Sequence, residues 1–243
     1  MKIKKGVVFS DFHCPYQDKR IIPLYDSFLK EFKPDELVLN GDFLNYAAYS
    51  RHGKRKNEVP DERIAQDHIE AIITLDKLLH NKKIKNLVWI DGNHEIMQDD
   101  YFMEFPDFFD RSVHRYEKMQ LKKRGFKHII PYKKAYKSGK LFFTHGTRSG
   151  VNAVRQALVT DYKANFVMGH IHRSDTATSK NIEDNIMQGY STGCSCKLDF
   201  RYSMSGGQNH GLGVYYVLPN GNFQFYNIVI IDYKFMFEGQ LWK

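Results

Sequence analysis

Apolar residues occur along this chain in short runs that repeatedly stop at a cluster of polar ones. Val7-Val8-Phe9, residues 37–39 and residues 87–90 are such runs. Apolar at consecutive positions, they predict strands buried on both faces. They end at Ser10-Asp11-Phe12-His13, Asn40-Gly41-Asp42 and Asp91-Gly92-Asn93-His94-Glu95. Between them the period becomes helical. Residues 19–32 have Pro23 near the start and Pro34 beyond the end, and residues 61–80 put Ile64, His68, Ile72, Leu75 and Leu79 on one face. Residues 101–124, rich in Phe and Tyr, read as one or two helices. The pattern then turns to strand at 133–136, 141–144, 166–168, 213–218 and 223–231, with a helix at 149–162 and a hairpin turn at Pro219-Asn220-Gly221.

This alternation predicts an α/β fold, with two packed sheets flanked by helices in one domain over residues 1–243. The polar clusters fall at the carboxyl ends of strands, where α/β sheets place their sites.

Composition adds limits. A chain of 243 residues, 42% hydrophobic and 14% aromatic, can bury a core and is not a disordered polymer. Lys and Arg number 36 against 28 Asp and Glu, a formal charge of +8. That balance favours anionic substrates, polyanions included, although solvated surface lysine produces the same number. Three cysteines, Cys14, Cys194 and Cys196, are too few and too odd for a secreted disulfide framework. Only residues 6–9 form an apolar run behind the basic start, too short for a signal peptide, and no run approaches a membrane span. A cytoplasmic protein with no membrane partner and free thiols is expected.

Five blocks collect metal-ligating side chains: Asp11-Phe12-His13, Gly41-Asp42, Gly92-Asn93-His94-Glu95, Thr144-His145-Gly146 and Gly169-His170-Ile171-His172. Singly, each has a bland explanation: Gly-Asp marks turns, and a lone histidine is usually a hydrogen-bonded core residue. All five, in order and each behind a strand, are not explained by turns and packing. Carboxylate, imidazole and amide oxygen together suit Zn, Fe and Mn better than Cu(I) or Ca. In Asp-x-His and His-x-His the two side chains share one face of an extended segment.

In their order, from Asp11 to His172, these blocks resemble the motifs of the calcineurin-like metallophosphoesterase superfamily. The resemblance implies a calcineurin-like sandwich of two mixed β-sheets flanked by α-helices and two divalent metal ions. Asp11, His13, Asp42 and His172 would hold one ion. Asp42, Asn93, His145 and His170 would hold the other, with Asp42 bridging and His94 as the non-ligand histidine that protonates the leaving oxygen or steadies the transition state. Two cations about 3.5–4 Å apart activate a bridging water and clamp both oxygens of an in-line displacement, so hydroxide attack without a phospho-enzyme is expected. Many members carry an acidic residue three positions after the bridging Asp, where this chain has Asn45. An amide orients His94 but supplies no charge. The Gly-Asp-x-Val-Asp-Arg-Gly run of the Ser/Thr protein phosphatases is missing, which argues against that subclass. Residues 208–213 resemble phage and bacterial members of unassigned substrate.

Substrate is less legible. Tyr49-Ser50-Arg51-His52-Gly53-Lys54-Arg55-Lys56 follows Asp42, and five of its eight residues are basic or His. Arg51 and His52 could hold phosphate there, or the segment could be a solvated loop. Tyr46, Tyr49 and Tyr101 could stack on bases, although such aromatics more often fill a core. Arg148 could reach substrate, or sit at a helix start. The expected activity is a phosphodiesterase acting on nucleic acid or nucleotides. A small-molecule phosphomonoesterase or cyclic-nucleotide phosphodiesterase is the alternative, and a non-catalytic scaffold a third reading. Oligomeric state is not readable.

Overall fold

The computed structural model describes residues 2–50, 64–199 and 207–243. Strand and helix alternate first: β1 Lys4–Phe9, α1 Ile21–Phe32, β2 Glu36–Asn40, α2 Ile64–Leu79, β3 Asn86–Ile90 and α3 Glu95–Glu104. The short α4 Arg115–Lys118 leads to β4 Phe126–Ile130, β5 Tyr136–Ser138 and β6 Leu141–Phe143. After α5 Ala153–Gln156 come β7 Phe166–Met168, β8 Ser174–Lys180 and β9 Ile186–Thr192. Then follow β10 His210–Val217, β11 Phe223–Ile230, β12 Phe235–Phe237 and β13 Gln240–Trp242.

The first sheet has the order β11-β10-β1-β2-β3-β4, and the second β5-β6-β7-β9-β8. Both are mixed: β1, β2, β3 and β4 run parallel, as do β6, β7 and β9, and antiparallel strands flank each set. Strand alternation explains the unbroken apolar runs. Val8, Val38 and Val88 point inward to Phe143, Val167 and Tyr190 of the second sheet. Val7, Phe9, Leu37, Leu39 and Trp89 point outward into a core shared with α1 and α2. Phe166 and Met168 pack under α5. The layers are therefore helix, sheet, sheet, helix. One carboxylate lies between the sheets: Glu36 is fully buried and accepts from Tyr215 Oη (2.6 Å), Tyr136 Oη (2.7 Å) and Ser138 Oγ (2.7 Å).

Several expected boundaries move. The strand expected at 133–136 begins at Tyr136, because Pro131 and left-handed Lys133 form a turn closed by Lys134 N–H on Pro131 O. The helix expected within 101–124 starts at Glu95 and stops before Pro106, and two 3-10 turns, Pro106–Phe108 and Arg111–Val113, precede α4. In the 149–162 segment helix begins only at Ala153, then widens into a π-helix over Ala157–Tyr162. Helix α2 is described from Ile64. Of the face expected to be buried, His68 and Leu75 are, together with Asp67, Ala71, Thr74 and Leu78, while Ile64, Ile72 and Leu79 are only partly buried. The hairpin turn at 219–221 forms, with Leu218 N–H on Asn222 O at 2.8 Å. Strands β4, β8, β9, β12 and β13 were not expected. In β8, Ser-Asp-Thr-Ala-Thr-Ser-Lys has no apolar run to signal an edge strand.

Candidate metal centre

The five polar blocks meet at one place, beyond the carboxyl ends of β1, β2 and β3 in one sheet and β6 and β7 in the other. Main-chain hydrogen bonds stitch their turns together. Asp11 N–H donates to Gly41 O (3.1 Å), His13 N–H to Asp42 O (2.8 Å) and Gly169 N–H to His145 O (3.0 Å). Five of the residues, Asp11, His13, Asp42, His170 and His172, have left-handed backbones, with φ between 48° and 69°. That conformation is costly without glycine and concentrates at functional sites. Two glycines make the packing possible. A Cβ on Gly41 (φ 85°) would strike the His145 ring, and one on Gly92 would fall 2.1 Å from Asp42 Oδ1.

Among the described residues, Asp11, His13 and His172 form one donor group and Asp42, His145 and His170 another, the ligating atoms of each lying within 4.8 Å of one another, and His94 is equally close to His13 and Asp42 between them. His13 Nε2 and His172 Nε2 are 3.1 Å apart. In the second group Asn93 Oδ1 lies 2.7 Å from His170 Nδ1 and 3.1 Å from His145 Nε2. Asp42 Oδ2 stands between the groups, 3.1 Å from His145 Nε2 and 3.6 Å from His13 Nε2. Two nitrogens on one cation, each about 2.1 Å from it, sit roughly 3.0–3.4 Å apart, so these spacings fit divalent ions. Carboxylate, amide oxygen and imidazole together are a donor set that divalent metals take.

Without cations the groups hold one another by charge. Burial opposes a charged His145, but the Asp42 and Asp11 carboxylates outweigh it and raise its pKa to about 10. His172 is likewise opposed by burial and lifted by Asp11, to about 9. Burial and neighbouring imidazoles push His13 well down, and burial with the charged His145 takes His170 to about 4. His145 and His172 therefore keep protons in the folded chain that the unfolded chain releases near 6.5. Folding stability of the metal-free protein then falls as pH rises from about 6.5, and this contribution is gone above about 10. Melting of the metal-stripped protein should drop by several degrees over that interval. A flat or rising profile would contradict the pairing.

His94 lies against this centre, its ring 4.5 Å from that of His13 and its main-chain N–H on Asp42 Oδ1 at 2.9 Å. Its Nδ1 makes a very short contact with the main-chain oxygen of Asn45. A carbonyl only accepts, so Nδ1 carries the proton and Nε2 is left for chemistry. The orienting group is thus the Asn45 backbone and not its amide. Among the described residues, neither amide atom of that buried side chain has a hydrogen-bond partner.

Glu95 does more than the sequence suggested. Fully buried, it accepts from the N–H groups of Asp42 (2.9 Å), Leu44 (2.8 Å) and Gly92 (2.7 Å), clamping two ligand-bearing turns together. Burial and the Asp42 and Asp91 charges raise its pKa to about 8. Glu95→Ala would orphan three buried donors at about 1–3 kcal/mol each. It should lower melting by about 10 °C or more and cut metal content; unchanged melting would rule out the clamp.

Arg115 was missed, because nothing in the local pattern marks it. Its buried guanidinium grips Asp91 (2.8 Å) and Asp99 (2.7 Å), tying the end of β3 to α3 around Asn93 and His94. Arg51 and His52 lie outside the described residues. Tyr46 and Tyr49 are buried, Tyr46 Oη bonded to His68 Nε2 at 2.7 Å and Tyr49 packed on Tyr101, so neither offers a face to a base. Arg148 pairs with Asp161 at 2.7 Å. All three cysteines are free and buried. Among the described residues no helix is long and apolar enough to cross a membrane.

The family model for calcineurin-like phosphoesterases matches residues 5–190. The gene 54 proteins of the mycobacterial phages D29 and L5 are 26% and 25% identical over 177 residues, covering 70% of this chain and 69% of each relative. Among solved structures, vacuolar protein sorting 29 from Cryptosporidium parvum aligns at 12% identity and a TM-score of 0.49, covering 98% of this chain and 94% of that one. Yfce, a phosphoesterase from E. coli, aligns at 14% and 0.45, covering 92% and 98%. With its five motif blocks inside the matched span and drawn to one seam between two mixed sheets, the chain belongs to the calcineurin-like phosphoesterase family.

Proposed function

We propose that this protein is a metal-dependent phosphodiesterase acting on nucleic acid or nucleotides. The observation that carries the reading is the pair of donor groups meeting at Asp42 beside His94. Asp11, His13, Asp42 and His172 would hold one divalent cation and Asp42, Asn93, His145 and His170 a second, with manganese, iron or zinc suited to the donors. Bound there, two cations supply charge neutralisation for the phosphoryl oxygens and a more acidic water. The chain's own residues do the rest. Asp42 balances the positive charge of both sites. Glu95 fixes the spacing between Asp42 and Asn93. His94 would act in its doubly protonated form, Nδ1–H held on Asn45 O and the Nε2 proton given to the leaving oxygen, after which the ring is neutral.

The diester preference and the polyanionic substrate rest on the charge of +8 and on the basic run at 51–56. A cytoplasmic location is part of this proposal. One observation favours the second reading, a small-molecule phosphomonoesterase or cyclic-nucleotide phosphodiesterase: the buried Tyr46 and Tyr49 provide no stacking platform. Hydrolysis of a chromogenic diester and its monoester, side by side with manganese, separates them. We expect the diester to turn over at least tenfold faster and nucleic-acid cleavage to weaken steeply with salt. A monoester preference insensitive to salt would favour the alternative. A folded protein that takes up no metal at micromolar supply would favour a scaffold.

A further inference from the structure

His172 faces two ways. Its Nε2 points to Asp11 Oδ1 (3.5 Å) and His13 Nε2 (3.1 Å), within the centre described above. Its Nδ1 points away, to Cys196 Sγ at 3.8 Å. Cys194 completes a second, softer group: the two sulfurs and the imidazole nitrogen lie within 4.8 Å of one another. The chain bends at Ser195 between the thiols, with Cys194 bridging to His210 and Cys196 to Gln17, and both sulfurs come within reach of the His172 ring. Both are fully buried, yet neither joins any of the three apolar clusters, whereas Cys14 belongs to one. Cys194 Sγ lies 3.6 Å from the main-chain oxygen of Asn209 and 3.8 Å from that of Cys196, weak partners for a thiol, and also meets the Cys196 side chain.

We propose that Cys194 Sγ, Cys196 Sγ and His172 Nδ1 form a separate site for one thiophilic d10 cation, zinc or cuprous copper. With sulfur about 2.3 Å and nitrogen about 2.1 Å from a cation, the S···N separation is about 3.6–3.8 Å, which matches. Two sulfurs and one nitrogen select soft ions, while the adjoining oxygen-rich centre selects harder ones. On binding, the two thiols and Nδ1 release their protons to water; where Nε2 also serves the adjoining centre it releases its own proton as well, and the ring then ligates through both nitrogens. Only this sharing of His172 rests on the two-metal reading. The sulfur site stands on its own residues.

The test is a cadmium titration of the reduced, metal-stripped protein, followed by sulfur-to-cadmium charge-transfer absorption in the ultraviolet. We expect the band to plateau at about one equivalent, to vanish in C194S and in C196S, and to persist in C14S. In the unaltered protein one equivalent of zinc should protect two thiols from alkylation, read by mass spectrometry, a measurement that needs no variant to fold. Absence of the band in folded protein, or a band unchanged in the C194S/C196S double variant, would overturn the proposal. Manganese gives no such band. If manganese binding and diester hydrolysis fail while the band appears, the two-metal reading falls and this site stands; the reverse result reverses that.

Discussion

Asp42→Asn should reduce diester hydrolysis by roughly a thousandfold or more while leaving the protein folded. Asparagine keeps the shape and can still accept the His94 N–H through its oxygen. It removes a negative charge that lies between both donor groups, 3.1 Å from His145 and 3.6 Å from His13. Charge stabilisation by bound cations is worth several kcal/mol, and each 1.4 kcal/mol is about tenfold in rate. Bound manganese, counted by elemental analysis after gel filtration, should fall below that of the unaltered protein. Without metal, the variant's His145 should titrate below about 10, because the charge that lifts it is mainly that of Asp42. Activity within tenfold of the parent, with metal content intact, would remove Asp42 from the centre of the mechanism.

His94→Gln should separate chemistry from metal binding. A positioned acid is worth about 10²–10⁴-fold. We expect kcat to fall by that factor, with metal content falling far less than in Asp42→Asn, because the ring lies within reach of His13 and Asp42 but is assigned to neither proposed ion. The loss should depend on the leaving group. Diesters that expel a nitrophenolate need little protonation and should suffer least, whereas alkyl diesters should suffer most. An equal loss on both would make His94 a positioning residue for the phosphoryl group, not a proton donor.

The sequence was most informative where a residue type has only one good use. Buried strands announced themselves by unbroken apolar runs, and the side chains at their ends were readable because Asp, His and Asn rarely cluster there without a purpose. The convergence of Asp11 with His172 across the chain then follows from the two sheets. Illegible features were those decided by tertiary contacts. The polar strand β8 exists because it pairs with β9, not because its own residues prefer it. Arg115 and Glu36 are buried charges whose partners come from distant segments, and no local period encodes that. Asn45 shows a subtler limit. The sequence pointed to its amide, whereas the atom that meets His94 belongs to the backbone, which every residue carries.

The left-handed backbones at Asp11, His13, Asp42, His170 and His172 bear on how such a protein drifts over generations. Each holds a conformation that costs an ordinary L-residue about 1 kcal/mol or more and that glycine or asparagine adopts readily. Replacing a ligand by either would relieve strain at the same stroke that it disables the centre. Selection for stability alone therefore pushes against the chemistry at five places. A lineage released from the need for catalysis should shed these five side chains sooner than Asn93 or His145, whose backbones carry no such burden. A lineage that keeps all seven is being held there by use.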